Sequence, residues 1–212
     1  MQGHLRIAAT LAGLAFALAC AQPLVRADEK SSVEQIRKEL LQLPYYGVFD
    51  FLVFSYDKGT VTLMGYAYRS TLKDDAVRAT KRASGVDEVI EKIEDLPVSQ
   101  FDDELRWKTY YAIYRDPFLS RYAPGGGLLW GHRHQFGGGF HAMDLRRFPG
   151  MEPLGDYPLH IIVRNGRITL LGVVDSESDR TVAGLRARDV PGSFGVDNEL
   201  VVEGSKPRPT RK

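Results

Sequence analysis

The 212-residue sequence has a single cysteine, Cys20, which excludes an internal disulfide framework and any cysteine-based zinc cluster. It has no excess of either charge. Its 28 Lys and Arg stand against 27 Asp and Glu, so nothing global points to nucleic acid. Beyond the N-terminus no apolar run approaches the ~18 residues that suggest a membrane-spanning helix. Catalytic signatures are missing too: there is no Gly-x-Ser-x-Gly elbow, P-loop or His-Glu-x-x-His. Ser55-x-x-Lys58 and Ser70-x-x-Lys73 match a Ser-x-x-Lys pattern, but its partner motifs are absent. Asp74-Asp75 and Asp102-Asp103-Glu104 fall at helix starts, where the helix dipole favours carboxylates, and read as solvated caps. The chain therefore reads as a non-enzyme with no cofactor and no evident small-molecule substrate. A hydrophobic share of 43% is enough to build a core.

Residues 1–21 read as an export signal. Arg6 precedes an uncharged Ala- and Leu-rich run, Ile7 to Ala19, of signal-peptide length. Cleavage before Gln22 follows Ala19-Cys20-Ala21, and Val25-Arg26-Ala27 is a second candidate. A third is lipidation at Cys20, although Ala17 and Leu18 stand where a lipobox has Leu and then a small residue. The expected location is the periplasm or a membrane surface.

The remainder is one module used twice. Lys58-Gly-Thr-Val-Thr-Leu-Met-Gly65 aligns with Asn165-Gly-Arg-Ile-Thr-Leu-Leu-Gly172 at an offset of 107, which continues through Gly85/Gly192 to Ile93/Leu200. Upstream the offset is 73, pairing Leu40 with Ile113 and Pro44 with Pro117, so the second copy carries about 34 extra residues. Each copy reads as α-β-β-α-β. In the first, Ser31 or Ser32 is the expected N-cap, with Glu34 or Gln35 completing a capping box. Strands are expected over Val48–Tyr56 and Thr60–Ala67, a helix over Leu72–Ser84 and a strand over Glu88–Leu96. The second copy is expected to close with one strand, Val196–Val202, and its Asn165-Gly166 is a strong hairpin signal. The boundaries that follow are a linker over 22–30, a first module over 31–98, and a second over 102–204 with an insertion at about 120–157. A basic disordered tail covers 205–212. The fold class is α+β, with each module a small sheet packed by two helices.

The repeated strand-Gly motif, the Val190-Pro191-Gly192 turn and the closing Val196-Asp-Asn-Glu-Leu200 resemble the BON family (bacterial OsmY and nodulation). The resemblance covers nearly all the chain after the signal except the insertion and tail. The first copy departs from it at Ala83-Ser84-Gly85 and at Glu91. The resemblance implies small α+β domains without catalytic residues. It also implies an exported envelope protein linked to phospholipid membranes, outer-membrane integrity or osmotic stress.

The first helix of the second copy carries two faces. Leu105, Thr109, Ala112 and Ile113 form an aliphatic side, and Trp107, Tyr110, Tyr111 and Tyr114 an aromatic one. The register with the first copy turns the aliphatic side inward. The aromatic side then matches Glu34, Arg37, Lys38 and Leu41, a solvated face. Aromatic rings there, with Arg106, Lys108 and Arg115 beside them, suit an anionic membrane interface. The resemblance implies the same, since the equivalent helix of dual-domain relatives is implicated in anionic lipid contact. The opposing expectation is that the rings pack on the first copy or under the insertion. In the insertion, His132, His134 and His141 have metal-like spacing, but Gly125-Gly-Gly127 and Gly137-Gly-Gly139 leave them unfixed, and no metal is assigned. Leu128, Trp130, Phe136, Phe140 and Arg133 suit either a flap over the module or a surface presented to lipid or a partner. The expected partners are anionic phospholipid or envelope proteins. The competing function is a soluble periplasmic stress protein of chaperone-like character.

Overall fold

The computed structural model describes residues 21–124 and 152–205, with side chains from Glu29 onward. The export segment with Cys20, the three clustered histidines, most of the insertion and the tail from Lys206 lie outside the described residues.

The first module runs α1 (Ala21–Leu41), β1 (Phe51–Asp57), β2 (Thr60–Ala67), α2 (Thr71–Thr80) and β3 (Glu88–Asp95). The second runs α3 (Gln100–Tyr114), a 3-10 turn (Ser120–Tyr122), β4 (Leu159–Arg164), β5 (Arg167–Val174), α4 (Glu177–Arg188), β6 (Gly195–Asn198) and β7 (Val201–Val202). Among the described residues the fold is α+β, two sheets of three and four strands packed by four helices. In each sheet a hairpin is followed by a crossover helix and a parallel third strand. Ile36, Leu40, Leu63, Leu72 and Ala76 are buried between α1, α2 and the first sheet. Leu105, Ile113, Ile161, Leu170 and Ala183 do the same in the second module.

Sequence chemistry explains the recurring turns. Both hairpins use two consecutive positive-φ residues, Lys58 (47°) and Gly59 (89°) in one, Asn165 (52°) and Gly166 (75°) in the other. That pair matches the right-handed strand twist. Gly65 and Gly172 share a second constraint. Their φ values are 128° and 117°, and a Cβ would lie 1.9 Å from the Phe51 carbonyl oxygen and 2.1 Å from that of Pro158. The repeated strand-Gly motif is thus a steric requirement of the hairpin.

Four boundaries differ from expectation. Residues 22–30, read as a linker, belong to α1, so Ser31 and Ser32 lie inside a helix and Ser32 is buried. The good helix formers Ala27, Glu29 and Lys30 carry the helix upstream of Ser31. The first strand starts at Phe51 because Tyr46 to Phe49 are drawn to the other module. α2 stops at Thr80, short of Ser84. The closing strand of the second module splits into β6 and β7 because Leu200 turns into the core while the Glu199 N–H still bonds the Leu170 carbonyl (3.0 Å).

The modules are joined by backbone. Gly47 bridges Leu154 in antiparallel fashion, the Val48 N–H donates to the Pro153 carbonyl (3.1 Å) and the Gly155 N–H to the Tyr46 carbonyl (3.0 Å). These residues correspond at the repeat offset of 107, so the two loops pair about a local two-fold axis. The Ile161 N–H also donates to the Val48 carbonyl (2.8 Å), which lays residues 46–48 along the outer edge of β4.

A Gly172→Ala variant should lower unfolding stability by at least about 2 kcal/mol, from a clash with strand backbone added to positive-φ strain. Gly204→Ala, at φ 72° with open space around it, should cost about 1 kcal/mol or less. Urea denaturation of both variants checks the contrast.

Candidate functional site

The helix that sequence reasoning singled out, α3, lies against the junction. Ser99 caps it, accepting from the Asp102 N–H (3.2 Å). At ~100° per residue its buried positions sweep about 200° of the circumference, twice the arc of an ordinary amphipathic helix. Leu105, Thr109 and Ile113 face the module's own sheet. Trp107, Tyr110 and Tyr114 are also buried, at 5%, 3% and 5% exposure. The expectation of an open aromatic face is corrected: the ring-bearing side packs on the first module and on Tyr157. Phe49 meets Trp107 edge-on (5.5 Å between centroids, 76°) and Tyr110 at 6.3 Å. Tyr114 packs at a tilt on Tyr110 (4.9 Å between centroids) and edge-on to Tyr157 (5.3 Å), and its hydroxyl donates to the Leu159 carbonyl (2.6 Å). Burial raises the hydroxyl pKa of Tyr110 and of Tyr114, so both stay protonated donors.

Arg106, expected among the lipid contacts, is 1% exposed. It pairs with Asp103, donates to the Val163 carbonyl (2.7 Å) and lies 5.0 Å over the Tyr68 ring of the first module. It is a structural cation. Asp102 is likewise buried, where a solvated cap was expected, and accepts from the backbone N–H groups of Asn165 (2.9 Å) and Gly166 (2.8 Å). It ties the start of α3 to the β4–β5 turn.

Three residues of the expected site remain at the surface: Lys108, Tyr111 and Arg115. They share one stripe of α3 with Phe101 and Glu104, about 100° wide. Arg115 covers the Tyr111 ring at 4.2 Å, and Lys108 pairs with Glu104 (3.0 Å). Phe118, 66% exposed, follows the helix.

Sequence reasoning missed the polar half of the junction. Asp50 is buried and accepts from the Gly47 N–H (3.0 Å) and the Tyr68 N–H (2.7 Å), holding the loop that reaches the second module. Burial pushes its carboxyl up to about 7, against these two N–H groups and the charges of Arg69 and Arg106. His160, also buried, places Nε2 3.5 Å from the Tyr46 hydroxyl and packs edge-on to Phe51 (5.4 Å). Burial lowers its imidazole to about 4, so it is neutral. Its Nδ1 lies against the Gly47 and Asp50 backbone but makes no well-aligned hydrogen bond among the described residues. Arg69 with Glu152 (2.6 Å) and Arg164 with Glu94 (2.6 Å) flank the contact. No sequence motif marks these residues, because their meaning depends on the module contact. Among the described residues no group of three or more His, Cys, Asp or Glu is placed to hold a metal, and no helix is long and apolar enough to cross a membrane.

The BON domain model matches residues 28–94 and 148–204, more than half of the sequence. The chain belongs to the BON domain family. BON proteins are typically periplasmic or membrane-associated, and the family is generally non-catalytic. No curated protein matches the chain. Among solved structures, one of CdsD, a structural protein of the type III secretion system of Chlamydia trachomatis, is 16% identical, with 80% of this chain and 91% of that chain covered and a TM-score of 0.25. A structure of the CdsD C-terminal domain gives 16%, 80%, 96% and 0.24. Superposition this loose carries no argument about architecture or activity.

The two junction titrations oppose each other. A raised Asp50 favours the folded state at low pH and loses that contribution as pH climbs from about 4 to about 7. A lowered His160 favours it above about 6.5 and loses that contribution as pH falls to about 4. Their slopes cancel in the wild type between these limits. In a His160→Gln variant, stability should fall as pH rises from 4 to 7. In Asp50→Asn it should rise from 4 to 6.5. Each slope should approach at most ~1.4 kcal/mol per pH unit, read from urea midpoints across the range. Trp107→Ala should cost about 3–5 kcal/mol in the same assay.

Proposed function

We propose that this BON protein is a non-enzymatic component of the cell envelope that binds anionic phospholipid surfaces and supports envelope integrity or osmotic tolerance. The observation that carries the reading is the open stripe of α3: Lys108 and Arg115 flank Tyr111, with Phe101 and Phe118 exposed at its two ends. Cations meet lipid phosphates, and a half-buried tyrosine suits the headgroup level. The stripe is shallow, so the contact is peripheral rather than inserted. The buried rings Trp107, Tyr110 and Tyr114 support it from beneath by fixing the helix.

A second reading, protein binding of chaperone-like character, is favoured by the open face of the first sheet. There Val53, Met64 and Ile90 lie in neighbouring strands at 39%, 36% and 38% exposure.

Vesicle flotation separates the two. Residues 22–212 should float with vesicles containing phosphatidylglycerol at low salt, less so at physiological salt, and not with neutral phosphatidylcholine. Lys108→Ala/Arg115→Ala should weaken flotation at least about tenfold without lowering the unfolding midpoint. No flotation under any condition would end the lipid reading and leave the sheet face as the better candidate.

A further inference from the structure

The repeat places a second helix face in question. α1 is the counterpart of α3, and its Glu34, Arg37, Lys38 and Leu41 stand where α3 carries Trp107, Tyr110, Tyr111 and Tyr114. On α3 three of those positions are covered by the junction. On α1 all four are exposed. Lys30, Arg37, Lys38 and Leu41 lie on one stripe, at 100° per residue. Tyr45, 52% exposed and with Arg69 5.1 Å over its ring, continues the surface beyond the helix.

The charges on this stripe are unspent. Arg82 takes Glu39 (2.9 Å) on the flank of α1, while no carboxylate lies within ion-pair distance of Arg37 or Lys38 among the described residues. Glu34 is the one acid on the stripe. Between Glu34, Arg37, Lys38, Leu41 and Gln42 there is only a shallow hollow. Nothing there encloses a small anion. Open cations beside an exposed leucine and tyrosine fit an extended negative surface with an apolar layer behind it.

We infer that the outward face of α1, through Lys30, Arg37, Lys38, Leu41 and Tyr45, is a second contact with anionic lipid headgroups. The inference rests on the lipid-binding reading above and adds a surface to it. The first module would then contribute to binding rather than serve only as a platform for α3. The paired loops at the local two-fold tie the two modules together.

The test uses residues 22–212 and vesicles of phosphatidylglycerol and phosphatidylethanolamine in co-sedimentation. Arg37→Ser/Lys38→Ser is compared with wild type and with Lys108→Ala/Arg115→Ala. Each cation removed should weaken partitioning about fivefold at low salt, so the α1 variant should bind about 25-fold more weakly. Its unfolding midpoint should not move, since both side chains are exposed. If wild type binds and the α1 variant stays within about twofold of it, this inference is overturned while the α3 reading stands. If wild type does not bind at all, the lipid-binding reading itself fails and takes this surface with it.

Discussion

The architecture depends on a single contact: the loop Tyr46–Phe49 of the first module inserted against α3 and the edge of β4 in the second. Backbone pairing at Gly47 and Leu154 fixes its register, and Phe49 packs edge-on against Trp107 and Tyr110. Small modules of this size bury limited surface alone. By sharing Val48 and Phe49 with the second core, the chain enlarges that core and makes the pair one body. Asp50 is the latch of this loop, because its carboxylate holds both the Gly47 and the Tyr68 backbone. Its burial next to a neutral His160 sets a polar seam along an otherwise aromatic interface.

Much of the fold was legible in the sequence. The 107-residue repeat, the two positive-φ hairpins and the aliphatic side of α3 follow from local chemistry, and the structure places them as read. What was not legible shares one cause. The strand boundary at Phe51, the buried Arg106 and the fate of Trp107, Tyr110 and Tyr114 are all decided by module-on-module packing, which no period or cap encodes. An aromatic helix face looks the same in sequence whether it meets lipid or protein. Asp102 taught the same lesson at smaller scale: an acidic helix start reads as a solvated cap unless a turn 60 residues away supplies the N–H groups that bury it.

This placement bears on how the proposed membrane contact would form. A surface built on buried tryptophan and tyrosine would require the modules to part, at the cost of exposing their shared core. A surface built on Lys108, Tyr111 and Arg115, with the cations of α1, needs no opening. It predicts salt-sensitive, reversible association governed by charge, with a compact body that keeps its rings inside.

The most direct test reads the environment of Trp107. The sequence has two tryptophans, Trp107 and Trp130, so a Trp130→Phe variant reports on the junction alone. The account predicts blue-shifted emission with little acrylamide quenching, and neither should change when vesicles containing phosphatidylglycerol are added. Strong quenching in solution, or a spectral shift on binding lipid, would contradict it and put the aromatic face of α3 at the membrane.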